Sequence, residues 1–230
     1  MSTLINKNSL AETVDILNAM FFEGTEISEP EREQVGIWIA ARQGLKGAYA
    51  NMFAPTGEDY QTPLRLFTGE KVTTGAGTGH IIGEEACRVM LKLNLKNPES
   101  LAALARATAG MMDAIVKERD FNKYNPGWFC CGTCTPTLWR HLSAGGLDNT
   151  EARYTAGLKA LKSMRDGNGK WRRFKFHWTI SALIEMDLPE AAEELRYVSK
   201  TLERIAKRKS KPDKFSLRRK RIAELALERI

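Results

Sequence analysis

Apolar side chains recur along this chain at intervals of three and four and almost nowhere in strict alternation, which confines it to packed helices. Leu10, Val14, Ile16, Leu17 and Met20 mark a first amphipathic helix, with Ser9 as its N-cap. Pro30 opens a second, carrying Val35, Ile37, Trp38 and Ile39 and running to about Ala50. A Gly/Thr-rich connection from Phe53 to Gly79 separates it from a third helix over Ile81 to Leu93. Asn97-Pro98-Glu99 is a start signal for a fourth that reaches about Arg119.

Beyond a loop from Phe121 to Phe129, a fifth helix is expected from near Cys134 to Ala144, stopped by Gly145-Gly146. Asp148 or Asn149 caps a sixth, which passes Leu158 and Leu161 and ends at Asp166-Gly167-Asn168-Gly169. Phe174 to Met186 forms a seventh, and Asp187-Leu188-Pro189 restarts the chain into an eighth that reaches about Lys209. Lys209-Ser210-Lys211-Pro212 reads as a hinge, and Phe215 to Ile230 as a terminal helix. The expected fold class is all-α, with a helical-hairpin domain over 1–208 and a basic helical tail over 209–230.

Charge is distributed unevenly. The chain carries 35 Lys and Arg against 28 Asp and Glu, a net charge of +7. From Thr201 onward there are 11 basic and 4 acidic residues, so this last stretch holds the whole excess and the rest of the chain is balanced. A basic terminal helix is more often a solvated face than a reader of bases, although it offers nucleic acid or an acidic protein a place to dock. No apolar run approaches the ~20 residues that span a bilayer. The segment Met1 to Lys7 lacks the apolar core of a secretory signal, so the expected location is cytoplasmic.

Three stretches share a pattern of helix end, glycine and aromatic. They are Trp38 through Arg42-Gln43 to Gly47-Ala48-Tyr49, Ile115 to Arg119 leading into Pro126-Gly127-Trp128-Phe129, and Leu158 through Leu161 and Arg165-Asp166-Gly167 to Gly169-Lys170-Trp171. A glycine permits the reversal, and the ring wedges between neighbouring hairpins that cannot cover their apolar faces alone. The first and third stretches resemble the Gln/Asp-Gly-aromatic repeats of α/α-toroid proteins, the superfamily of terpene cyclases and protein prenyltransferases. That resemblance, covering roughly Val35 to Met186, implies a partial α/α-toroid-like array whose inner helices end around an apolar cavity. The Asp-x-Asp-Asp motif of the cyclases and the Asp-x-Cys motif of the prenyltransferases are both missing, so architecture transfers and the reactions do not.

Cys131-Gly132-Thr133-Cys134 is the leading chemical motif, a C-x-x-C at the start of a helix. Two thiols on a tight turn suit one metal, and a helix N-terminus lowers a thiol's pKa. If the hairpins stack, His80 and His177 come to the same end as the thiols, and Cys131, Cys134, His80 and His177 make a Cys2His2 zinc site. A redox or nucleophilic thiol centre using Cys134, Cys131 and His177, and a merely packed cysteine cluster, stand beside that reading.

His80 follows the run Gly75 to Gly79, which reads as a flexible lead-in rather than a phosphate loop. Trp128, Trp139, Trp171, Phe176 and Trp178 line an apolar pocket in the sharper reading and form core in the plainer one. Arg140 clamps a carboxylate or phosphate in the first and makes an interhelical ion pair in the second.

Two functions follow. One is a cavity protein that binds a hydrophobic small molecule beside a thiol/imidazole site. The other is a non-catalytic helical scaffold for a protein or, through its tail, nucleic acid. Hairpin faces left exposed by an incomplete ring favour a homodimer.

Overall fold

The computed structural model describes residues 3–121, 128–209 and 212–230. The expected loop containing Pro126-Gly127, and Ser210-Lys211 of the expected hinge, lie outside the described residues. Among those described there are ten α-helices and two short 3₁₀ turns, with isolated β-bridges rather than strands. No helix among them is long and apolar enough to cross a membrane. The chain divides into two compact units: 1–64, 71–118 and 144–148 form the first, and 65–70, 119–143 and 149–230 form the second.

In the first unit, α1 (Leu10–Glu23) and α2 (Glu29–Ala40) pack on α3 (Gly75–Lys92). Helix α3 is buried continuously from Thr78 to Met90. The run Gly75 to Gly79 is its first turn and a half, capped by Thr74, whose hydroxyl accepts from Gly77 N at 3.0 Å. It is therefore no flexible lead-in. The glycines serve close packing: a Cβ on Gly79 would stand 3.2 Å from the Gly47 carbonyl oxygen, and one on Gly83 would stand 3.0 Å from Met52.

Helix α2 stops at Ala40, well short of the expected Ala50. The chain reverses there, with a bridge between Gln43 and Phe53, and Arg42 donates to the carbonyls of Ala54 and Pro55 at 2.6 and 2.9 Å. Helix α4 (Pro98–Phe121) starts as the sequence signals, with Asn97 accepting from Ser100 N at 2.9 Å.

The start of α1 is held by two caps. Ser9 accepts from Glu12 N at 2.9 Å, and Asp59, from a 3₁₀ turn at Glu58–Tyr60, accepts from Leu10 N, Ala11 N and the Ser9 hydroxyl at 3.1, 3.2 and 2.6 Å. Asp59 also accepts from Thr56 N at 2.7 Å and is buried. Asp59→Ala strands these donors and is expected to destabilise the first unit by about 2 kcal/mol. Thermal denaturation measures this, and an unchanged melting temperature would show that the Ser9 cap suffices.

The second unit contains α5 (Cys134–Ser143), α6 (Thr150–Ser163), α7 (Phe176–Leu183), α8 (Pro189–Tyr197), α9 (Ser199–Lys207) and α10 (Lys214–Leu227). Helix α5 packs on α6 and α7, α8 on α6 and α7, and α10 on α9 and α7. The expected eighth helix is two helices, broken at Val198, whose φ of −100° and ψ of 4° leave the helical region while its side chain is fully buried. A bridge between Arg165 and Trp171 follows α6, as the Gln43–Phe53 bridge follows α2.

The segment Arg65 to Glu70 ties this unit together. Glu70 accepts from His177 N and Trp178 N at 3.2 and 2.9 Å, capping α7, and Phe67 lies under the Arg218 guanidinium at 4.0 Å.

A thiol cluster and a cationic pocket

The turn before α5 is built by its neighbours. Thr135, fully buried, accepts from Phe129 N at 3.0 Å and donates to the carbonyls of Phe129 and Cys131 at 3.1 and 2.9 Å. Cys131 N reaches back to the Phe129 carbonyl at 2.6 Å, which leaves Cys130 at φ +55°, a conformation a non-glycine residue seldom adopts. Gly132 lies against another backbone: a Cβ there would stand 2.3 Å from the Arg173 carbonyl oxygen.

The result is a gathering of sulfur. Cys131 Sγ and Cys134 Sγ are 3.4 Å apart, and the sulfurs of Cys130 and Cys134 lie within 4.8 Å of each other. Exposure falls in steps, from exposed Cys130 through half-buried Cys131 to buried Cys134. Cys131 Sγ accepts hydrogen bonds from the amides of Thr133 and Cys134, each at 3.4 Å.

Hydrogen bonding with the Cys130 and Cys134 thiols, and then these amides, holds the Cys131 thiol far below the usual range. Cys134 is driven the opposite way, by the same thiol contacts and then by burial. The two sulfurs are thus pushed in opposite directions, the Cys131 thiol toward ionisation and the Cys134 thiol away from it. Cys87 is a separate case, a buried α3 thiol of the first unit pushed up by desolvation.

Of the residues singled out in the sequence, Cys131 and Cys134 come together and Cys130 joins them. His177 is placed elsewhere in the second unit. It lines a cleft of about 370 Å³ with Ile205, Arg208, Lys209, Ser216, Arg219 and Lys220, a wall to which no described cysteine contributes. Burial and the charges of Arg219 and Lys170 lower its imidazole to about 4, so the ring is neutral at physiological pH. His80 belongs to the first unit, where its buried ring stacks on Tyr49 at 4.3 Å and Nε2 lies 3.7 Å from Glu84.

The aromatic residues are engaged in packing. Trp139 stacks on Phe174 with centroids 6.1 Å apart and covers Gly157, and Trp178 donates to Thr137 Oγ1 at 3.0 Å. Trp171 donates to Glu194 at 2.8 Å and lies 6.0 Å from Phe176. Trp128, half-buried, meets Phe174 edge-on at 4.9 Å. Arg140 makes an ion pair: it bonds Glu185, in the turn after α7, at 2.6 Å and spreads over the Trp178 ring at 4.6 Å.

Cys130 belongs to the cysteine cluster of the sequence but stands outside the C-x-x-C spacing that marks Cys131 and Cys134. At its left-handed φ the exposed Cys130 still keeps its sulfur near that of Cys134, and no residue type announces that. The pocket cations look in sequence like part of a solvated terminal helix, since their convergence depends on how α9 and α10 fold back together. No protein-family model matches the chain, and no match is found among curated proteins or solved structures.

Proposed function

We propose that the second unit works through Cys130, Cys131 and Cys134 as a soft-metal centre of the zinc type, beside an apolar face on which a hydrophobic small molecule rests. The observation that carries this is the convergence of three sulfurs at one helix start. Three thiolates fit the tetrahedral, sulfur-rich preference of zinc and leave a fourth position for water or substrate. A bound divalent ion would supply Lewis acidity or hold a thiolate nucleophile. Trp128 and Phe174 are the nearby aromatic residues, since the cysteine turn rests on Arg173 and Phe174.

The test is elemental analysis of the purified full chain together with cobalt substitution. One equivalent of zinc, and thiolate-to-cobalt charge-transfer bands lost in Cys131→Ser/Cys134→Ser, are expected. Metal-free protein that takes up no cobalt would sink the reading.

A dithiol redox centre has its own support in the opposite pKa directions of Cys131 and Cys134. There the Cys131 thiolate attacks a substrate disulfide and releases one thiolate, and Cys134 then displaces the second, leaving an intramolecular disulfide and a reduced substrate. Selective alkylation of Cys131 at neutral pH, in protein free of metal, would favour this route.

The recurrence of helix, β-bridge loop and buried helix in each unit supports a hairpin-repeat reading of the whole chain, with the toroid-like array as its architecture.

A further inference from the structure

The cleft between α7, α9 and α10 concentrates charge in a way that packing does not require. Arg208 and Lys209 enter it from the end of α9, Arg219 and Lys220 from α10, and Ile205 is its apolar wall. No carboxylate is among its described lining residues. Three acids on the neighbouring segments are already engaged. Asp213 caps α10, accepting from Phe215 N, Ser216 N and the Ser216 hydroxyl at 3.1, 3.0 and 2.6 Å. Glu224 lies 4.0 Å from Lys220 one turn further on, half-exposed, and Glu70 caps α7. Four cations around one small hollow repel one another, and the field between them is focused by the low-dielectric wall.

The cleft is also held in shape. Arg219 Nε donates to the Thr68 carbonyl oxygen at 2.6 Å, which fixes the guanidinium with one of its five N–H donors. Gly69 lets that segment press on α10: a Cβ there would stand 2.5 Å from the Phe215 ring. A volume of about 370 Å³ suits a ligand of small-molecule size, not a helix or a duplex.

We propose that this pocket binds a compact phosphorylated small molecule, with Arg208, Lys209, Arg219 and Lys220 holding the phosphate oxygens and His177 at its inner wall. Guanidinium and ammonium groups together match a multiply charged anion better than a monocarboxylate. The imidazole of His177 offers the bound anion an N–H hydrogen bond.

The experiment is calorimetric titration of the full chain with inorganic pyrophosphate. It compares wild type with Arg208→Gln/Lys220→Gln and with Lys200→Gln/Lys207→Gln, two α9 cations outside the lining. Saturable one-to-one binding, weakened about a hundredfold by the first pair and little by the second, is the expected result. Lys209→Gln alone, weakening binding about tenfold, carries the test if the first double variant fails to fold. Absence of saturation, or equal losses in both pairs, overturns the proposal. So does a single-stranded oligonucleotide whose affinity grows with length and exceeds that of pyrophosphate, since the surface would then be a nucleic-acid track.

Discussion

Glu194→Ala is expected to lower the stability of the second unit by about 3 kcal/mol and its melting temperature by roughly 10 °C. Glu194 is 2% exposed on α8 and accepts from three directions. Arg165 Nε and Nη2 reach its two oxygens at 3.2 and 2.8 Å, and the Trp171 indole N–H reaches it at 2.8 Å. These contacts fasten both ends of the Arg165–Trp171 bridge loop to α8. Alanine leaves a buried indole donor and a half-buried guanidinium without their acceptor.

Arg165 keeps Glu193 at 3.2 Å and its place over Tyr197, which puts the loss at the lower end for a broken buried pair. Glu194→Gln, which preserves one acceptor for Trp171, should lose less. Circular dichroism melts of the two variants test the ordering, and an alanine variant within 1 °C of wild type would remove the central role given to this carboxylate.

Gly110→Ala is the second large effect, about 3 kcal/mol of destabilisation in the first unit. Glycine inside α4 costs about 1 kcal/mol against alanine on propensity alone, so an unconstrained helix would gain from the change. Here the new Cβ would stand 2.1 Å from the Ala50 carbonyl oxygen and 2.8 Å from Asn51 Cβ. The opposing segment cannot easily yield, because Ala50 and Asn51 sit at φ +50° and +57°, a turn with little freedom left. Gly75→Ala is the control, since nothing lies within 4 Å of a Cβ there and its φ is not left-handed. Denaturant unfolding should show a loss for Gly110→Ala and none for Gly75→Ala. Equal behaviour would mean that α4 stands further from the Ala50 turn.

Local signals made most of the helices legible. Ser9 and Asn97 cap where their residue types suggest, and Pro30 and Pro189 stand in the first turns of α2 and α8. What local signals missed was set by tertiary packing. The glycines at 75–79 are poor helix formers, yet the approach of Gly47 and Tyr60 to Gly79 favours a helix without side chains there. Helix α2 carries apolar residues in phase up to Ala40, and the early stop comes from carbonyl acceptors on Ala54 and Pro55 that Arg42 reaches by chain reversal. In the candidate site, C-x-x-C spacing identified Cys131 and Cys134, because that motif encodes its own turn. Cys130 and the cations around His177 depend on a positive φ and on helix docking, and neither is written in residue order.

The carboxylates that cap α1 and α7 also fix an order of events during synthesis. Asp59 lies some fifty positions downstream of the helix it closes, with a sequence separation of 50 to Ser9 and 49 to Leu10. Glu70 lies 108 positions upstream of Trp178. On a ribosome that releases its product from the N-terminus, α1 must wait half-finished until residue 59 has left the exit tunnel, whereas the first residues of α7 emerge with their anchor already outside. Nascent chains arrested just before and just after Asp59 emerges should therefore differ in protease protection of the first twenty-odd residues, and a comparable pair straddling α7 should show protection without that delay.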